Sequence, residues 1–498
     1  MRRNIGNLLR LSALRNPHKT AVFCEDQRIT YKDLDKATSS IAQWLLTQGC
    51  RPGDRIALYW PNSIEMVKLL FACFKARMVA VPIYAKMKGT ETAHILVQSG
   101  AMMCFADQQH LRVVEDAARQ SGWRGAIHHS LREAEDADGL VDAGLAVAEL
   151  ADADKAALIL YTSGTTALPK GVTHTHRTLQ EGVKLLCSTA PDSFDTVLMM
   201  TPMAYISGVW GCLFPTIALG SSLVILPRME AALALDLIER FQCSYTFGPP
   251  PLAQFMLEEQ ASRPRVVRSL RTFFVAGDSA PASLLERSEA VFGTRVREAY
   301  GMTEIGLCCC NFDDEYRTGS LGKVIEGTEV RLVDADGKDV PEGQRGEIIV
   351  RSPSTFVGYW ENLKATSEML RDGWVYTGDL GHRDADGYVW FDARKKAIIV
   401  RGGFNISPQE VEEGLYSHPD VMEAAVVGQP VPVYGERVVA FVTLRDGATI
   451  TEDELKEHVG QRLADIKVPE RVLLVSSLPK SAGGKINRRQ LKELAAVA

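Results

Sequence analysis

At 498 residues the chain is too long for one ordinary core, and at roughly 150 residues per domain it predicts about three domain-sized units. A hydrophobic share of 46% and a charged share of 24% are those of a soluble globular protein and exclude disordered and fibrous classes. The net charge of -6, without a basic stripe able to track a phosphate backbone, argues against a nucleic-acid partner.

From the N-terminus, Arg2 and Arg3 lead into Asn4, Asn7, Arg10 and Arg15, too polar a run for a signal peptide, so no export is predicted. Residues 156–161 form an apolar strand, and a loop rich in hydroxyls follows it. Residues 196–227 contain no charge, which is long enough on paper to span a bilayer. Pro202, Gly208, Gly211, Pro215 and Gly220 cut that stretch into a turn, a short helix and a strand, so a buried core is expected and no membrane span. Further strands are predicted at 223–226 and 272–276, with amphipathic segments of helical length between. This alternation predicts layered α/β subdomains with mainly parallel sheets.

Near residue 390 the texture changes. A strand at 388–391 runs into Arg394, Lys395 and Lys396, then into an apolar 398–400 and the pair Gly402, Gly403. Beyond lie strands at 424–427, 438–443 and 472–475, and a helix from Thr451 to Leu463 opened by a capping box with Glu454. The expected organisation is an N-terminal domain over 1–392, a hinge at 393–396 and a small α+β domain over 397–498. The basic clusters, Arg394 to Lys396 and Arg488 with Arg489, are expected to make local contacts. The ten cysteines, including the contiguous Cys308, Cys309 and Cys310, have neither disulfide nor metal-ligand spacing and suit a reducing cytoplasm. In a strand, Cys308 and Cys310 would share one face and back a pocket.

The most informative stretch is 161–171. It packs Thr162, Ser163, Gly164, Thr165, Thr166 and Lys170 into one turn after a strand. Backbone and hydroxyl donors, a permissive glycine and a lysine suit a phosphate-wrapping loop, although the same composition also suits a flexible surface loop. It is not a Walker A loop, because Gly171 and Val172 follow the lysine.

Together with Tyr300 to Glu304, Tyr376 to Asp379, Arg394 to Glu412 and Pro479 to Lys485, this stretch resembles the acyl-adenylate-forming superfamily of acyl- and aryl-CoA synthetases, peptide-synthetase adenylation domains and firefly luciferase. The motifs stand in the family's order along nearly the whole chain. The resemblance implies an acid–thiol ligase that uses ATP, Mg2+ and coenzyme A, and it implies these roles. Thr303 contacts phosphate and Glu304 holds Mg2+. Tyr300 stacks on adenine beside Gly301, Asp379 accepts from the ribose hydroxyls, and Arg394 contacts the nucleotide. Lys485 is the mobile catalytic lysine, Lys396 the hinge, and Gly402 with Gly403 line the pantetheine tunnel. Read alone, each has a plainer role as helix cap, core tyrosine, surface lysine or tight turn.

By the same resemblance the acyl group lies among Tyr205, Ile206, Ser207, Phe247, Ala276, Gly277 and Met302. These are mostly apolar or small and lack an anchor for an α-amino group, which favours a hydrophobic small to medium or aryl acid. Asp278 is the one residue nearby able to serve as such an anchor. Four positions depart from the family pattern. Ala167 replaces a glycine, Tyr205 a histidine, and Ala393 and Ala397 a glycine and an acidic residue. Two alternatives stay open: loading of a carrier-protein phosphopantetheine, and nucleotide binding without catalysis.

Overall fold

The structure, a computed structural model, describes residues 4–135, 152–162, 168–190, 194–278, 280–312, 316–401, 403–432, 435–481 and 484–497. Ser163, Gly164, Thr165, Thr166, Ala167 and Gly402 therefore lie outside the described residues.

Among the described residues the chain builds four sheets. The first has nine strands, and its six central ones, Val296–Met302, Thr272–Val275, Tyr245–Gly248, Thr196–Met199, Ser222–Ile225 and Thr20–Cys24, run parallel. The second has seven strands, with a parallel core from Ala156–Thr162 through Val79–Ile83 and Arg55–Tyr59 to Met103–Ala106 and Ala126–His128. These parallel strands are buried on both faces, which is why they read as unbroken apolar runs rather than as alternation. Helices covering them are capped from their own sequence: Thr30 accepts from Asp33 N before Tyr31–Thr47, and Ser63 from Met66 N before Ile64–Lys75.

The uncharged 196–227 stretch resolves as expected. A strand is followed by a helical run, Ile206–Gly208, a π turn Val209–Leu213 and Phe214–Leu219, and then by a second strand. Among the described residues no helix is long and apolar enough to cross a membrane.

The third sheet is antiparallel throughout, an exception to the parallel rule. It contains Glu329–Val333, Gly346–Arg351, Trp374–Arg383, Leu370–Arg371 and Val389–Arg394. The fourth, from Ile399 to Leu474, pairs Phe404–Ile406, Ile399–Arg401, Gly435–Leu444 and Val421–Val431 antiparallel, with Arg471–Leu474 added parallel. Two hydrophobic clusters around this last sheet draw only on residues from Ile399 onward, while the other four stop at Val389. The Thr451 capping box is present and its helix is Glu452–Gly460, three residues short of Leu463, although the Gln461 and Leu463 amides still donate to the Glu457 and Val459 carbonyls.

Candidate active site

Ligands of open α/β sheets bind beyond the carboxyl ends of the strands. Four adjacent parallel strands of the first sheet place the expected acyl-site residues there. Tyr205 follows Thr196–Met199, Phe247 nears the end of Tyr245–Gly248, Ala276 and Gly277 follow Thr272–Val275, and Gly301 and Met302 end Val296–Met302. The second sheet contributes Tyr84, just past Val79–Ile83, and Thr162, register partner of Lys170 across the two strands that flank the hydroxyl-rich loop. The Tyr84 and Tyr205 rings lie 5.6 Å apart, so the ends of the two sheets converge.

Asp379 and Arg394 face each other on paired strands of the third sheet. Arg394 Nε donates to Asp379 Oδ1 at 2.8 Å, Tyr300 Oη donates to Oδ2 at 2.8 Å, and Thr377 Oγ1 accepts from the Asp379 amide at 3.0 Å. The carboxylate is 2% exposed while the arginine side chain is 60% exposed, so Arg394 presents a free edge to the cleft. Burial pushes the Tyr300 phenol well up, and the charge of Asp379 adds to the effect, so it remains a donor.

Glu304 is buried and accepts from Tyr359 Oη at 2.7 Å. Burial raises its pKa, opposed by that hydrogen bond and by the charges of Arg394 and Lys170. Lys170 Nζ lies 5.1 Å from the Tyr359 ring centroid. One aromatic side chain therefore links the expected phosphate lysine to the expected metal carboxylate. The Thr303 carbonyl accepts from His174 Nε2 at 2.8 Å, while Nδ1 faces Thr178 Oγ1 at 3.2 Å. Burial drops His174 to about 4, so the ring is neutral, with its proton on Nε2 where the carbonyl needs it. Trp210 packs against it with ring centroids 4.7 Å apart.

Lys485 belongs to the C-terminal part of the chain, yet its side-chain tip lies at the carboxyl end of the first sheet. A Cβ at Gly277 would fall 2.6 Å from its Cε and 2.7 Å from its Nζ. Water reaches the side chain, but protein groups crowd round it in the cleft. Burial lowers its pKa. Asp278, Asp379 and Glu304 pull it upward, and Arg394 pulls it down. Lys485 thus shares one electrostatic environment with Asp379, Glu304 and Arg394, the three of these groups expected to handle the nucleotide and its metal.

The acyl region is shaped by close backbone approaches. A Cβ at Gly208 would sit 2.2 Å from the Pro202 carbonyl, and one at Gly211 would sit 3.1 Å from the Phe247 ring. The π turn Val209–Leu213 carries Gly211 toward that ring. Asp278 follows Gly277 directly and acts on the Lys485 amine as the strongest of the charges around it. It lines a small cavity with Gln254, Gln409, Glu412 and Arg488, between the two parts of the chain. The cysteine expectation is corrected. A bulge at Cys308, opposite Tyr300 and Gly301, shifts the register, so that Cys308 and Cys309 pack in one cluster and Cys310 in another. The basic clusters do make local pairs: Lys395 with Glu347 at 3.2 Å, and Arg488 Nη2 with Glu412 Oε2 at 3.0 Å.

The structure brings Thr162, Lys170, Tyr300, Gly301, Thr303, Glu304, Asp379, Arg394 and Lys485 around one cleft. It leaves Gly403 outside, exposed with φ +85 and open space around it. Lys396 is exposed just past Arg394. Sequence reasoning missed His174, Tyr359, Trp210 and Tyr84. His174 alone carried a signal, lying four residues beyond Lys170 on the same strand.

Residues 9–360 match the family described as AMP-binding enzyme, and 410–485 match the AMP-binding enzyme C-terminal domain. The chain belongs to the AMP-binding enzyme family. It is 34% identical over 481 residues to a feruloyl-CoA synthase of an Amycolatopsis species, covering 96% of each chain. It is 32% identical to the fatty acid–[acyl-carrier-protein] ligase ScoC of Streptomyces coeruleorubidus, covering 97% of this chain and 94% of that one. Its fold superposes on the anthranilate CoA ligase AuaEII in complex with anthranoyl-AMP, with a TM-score of 0.92 at 27% identity, covering 99% of this chain and 97% of that one.

Proposed function

We propose that this protein is an AMP-forming acid–thiol ligase that activates a hydrophobic carboxylic acid without an amino group, small to medium or aryl, and transfers it to coenzyme A. The observation that carries this reading is the seat of Lys485 against Gly277, in one cleft with Glu304, Asp379 and Arg394. The feruloyl and anthranilate relatives support an aryl acid. The lack of an acidic residue in the Tyr205, Ile206 and Ser207 segment supports the absence of an α-amino group.

In the first step a carboxylate oxygen attacks the α-phosphorus of ATP, the α–β phosphoanhydride bond breaks, and pyrophosphate leaves. Two anions must meet. The Lys485 ammonium neutralises charge between them, and Arg394 and Lys170 balance the phosphates. Entry of the triphosphate raises the pKa of Lys485, offsetting the burial that lowers it in the free cleft. Asp379 holds the ribose, and Thr303 meets phosphate with its backbone fixed by His174. Glu304 is a single buried carboxylate, a donor set suited to Mg2+, which prefers one or two carboxylates and keeps water and phosphate oxygens; when bound it adds positive charge beside the phosphates.

In the second step the thiol sulfur attacks the acyl carbonyl, AMP departs with the bonding pair, and the thiol proton passes to solvent, leaving a thioester. One fixed site serves two attackers poorly. Residues 1–392 and 397–498 therefore act as domains that rotate about 393–396, with Lys396 at the hinge, and Gly402 with Gly403 then face the pantetheine arm. The separate hydrophobic clusters support this division. The free, largely buried cysteines support a cytoplasmic location. ScoC favours one second reading, with a carrier-protein phosphopantetheine as the acceptor.

The test is acid-dependent ATP–pyrophosphate exchange over aliphatic, aryl and amino acids, followed by addition of coenzyme A. Exchange with aryl or other hydrophobic acids and formation of their thioesters is expected. Exchange without thioester transfers the reading to a carrier protein, and no exchange with any acid overturns it.

A further inference from the structure

The contact that holds the Lys485 hairpin in the cleft is built on one helix, Pro250–Ser262. Phe255 and Glu258, three residues apart, share a face of it. Each meets a cation from the C-terminal part of the chain. Lys480 Nζ lies 4.4 Å from the Phe255 ring centroid and 2.9 Å from Glu423 Oε1. Arg445 forms an ion pair with Glu258, whose Oε1 also accepts from Gln254 Nε2 and Arg287 Nη1, each at 2.9 Å. Burial alone would raise the Glu258 pKa, but Arg287 and Arg445 outweigh it and keep the carboxylate charged.

Lys480 is tied to Lys485 by a tight hairpin. Lys480 and Ile486 form an antiparallel bridge, and the Ser481 amide donates to the Lys485 carbonyl at 2.6 Å. The Gly484 turn packs on Met229 and Pro249, where an added Cβ would be 3.3 Å from the Met229 sulfur and 3.4 Å from Pro249 Cγ. A shift of Lys480 on the helix is therefore passed to the Lys485 tip.

We propose that this helix face is the positioning surface for adenylation, with Glu258–Arg445 and Phe255–Lys480 as two fasteners that seat the Lys485 hairpin at Gly277. The inference rests on the reading of Lys485 and of a rotating C-terminal domain given above. Both fasteners are partly exposed, with the Arg445 and Glu258 side chains 24% and 29% accessible and Phe255 36%. A solvent-accessible pair adds only a little stability, which suits a contact that must release on each turnover. Glu258, Phe255, Arg445 and Lys480 touch none of the reacting groups, so they are positioning residues and not catalytic ones.

The experiment compares Arg445→Glu, Phe255→Ala and Arg445→Lys with the parent protein in two assays: pyrophosphate exchange, and thioester formation from supplied acyl-AMP. Arg445→Glu opposes like charges and is expected to slow exchange about 10-fold in kcat/KM, leaving thioester formation unslowed. Phe255→Ala shows the same split more weakly. Arg445→Lys, which keeps the charge, recovers most of the exchange rate. Equal slowing of both half-reactions, or unchanged exchange in Arg445→Glu, overturns the proposal. Lys485→Ala run alongside separates the two levels. If it abolishes exchange while Arg445→Glu does not slow it, only the positioning surface fails. If it exchanges normally, the reading of Lys485 fails and the positioning surface with it.

Discussion

Asp379 and Arg394 occupy opposed register positions on the antiparallel strands Trp374–Arg383 and Val389–Arg394, and the guanidinium meets the carboxylate with Nε 2.8 Å from Oδ1 and Nη2 3.3 Å from Oδ2. With Tyr300 on Oδ2, the carboxylate is oriented before nucleotide arrives, and of its roughly four lone-pair sites some remain for a vicinal diol. Asp379→Asn turns one acceptor into a donor aimed at Arg394 or Tyr300. It is expected to raise the KM for ATP at least ~10-fold, in line with loss of a charge-assisted hydrogen bond worth roughly 1.5–3 kcal/mol. Initial rates at varied ATP measure this, and an unchanged KM would remove Asp379 from the nucleotide site.

Lys485 and Gly277 give a second prediction. Lys485→Ala should cost pyrophosphate exchange at least ~10²-fold, by analogy with loss of a transition-state donor, while thioester formation from supplied acyl-AMP persists. Gly277→Ala should mimic it in part. Its Cβ would intrude on Cε and Nζ of the lysine, and its φ of +91 adds about 1 kcal/mol of strain. The two half-reactions assayed separately check both variants, and equal losses in both would show that Gly277 matters only for folding.

Lys485, Asp379 and Lys170 are legible through the ordered set of motifs that resembles the family, since each read alone has a plainer role. Lys485 stands in a short hairpin, Asp379 in a strand next to a positive-φ glycine, Gly378, and Lys170 at the end of a hydroxyl-rich loop. Parallel strands such as Ala156–Thr162 are legible because burial on both faces leaves an apolar run. What escapes is anything made by long-range pairing. Tyr359 reaches Glu304 across 55 residues, and His174 reaches Thr303 across 129. The cysteine run shows the same limit in another form. Strand alternation is a sound rule for Cys308 and Cys310, but a bulge breaks it, with Cys308 left unpaired between the pairs Tyr300–Cys309 and Gly301–Leu307, and nothing in the triplet's composition announces it. Nor does period-two reasoning identify the antiparallel sheet that positions Asp379 against Arg394.

His174 carries the third prediction. Its Nε2 proton satisfies the Thr303 carbonyl, and removing a buried partner leaves an orphan acceptor that costs roughly 1–3 kcal/mol. His174→Ala should therefore lower the melting temperature and slow exchange about 10-fold by loosening the Thr303 backbone. His174→Gln, whose amide can donate at similar reach, should recover part of both. If the alanine variant melts lower but exchanges normally, the hydrogen bond serves the fold and not Thr303.

The final prediction concerns pH. Glu298 is buried, its Oε1 accepts from the Ala280 amide at 3.2 Å, and Oε2 has no partner among the described residues; burial pushes its pKa from 4.5 up to about 8, with a smaller push from Glu413. Between those two values the folded chain holds one proton more than the unfolded chain, so the stability this group contributes is full below 4.5 and is lost as pH rises through 8. His174 and His176 act in the opposite direction. Burial lowers both from 6.5 to about 4, so each holds one proton fewer when folded, and stability falls as pH drops from 6.5 toward 4. Together these groups place maximum stability near pH 6.5. Glu298→Gln cannot titrate, so its stability relative to the parent should grow between pH 5 and pH 8, by up to about 4 kcal/mol at 1.4 kcal/mol per pKa unit. Thermal midpoints of both proteins across that range measure it. A difference that stays constant with pH would mean that Glu298 is already ionised in the folded protein, and that its unpartnered oxygen is solvated in a way that burial alone does not describe.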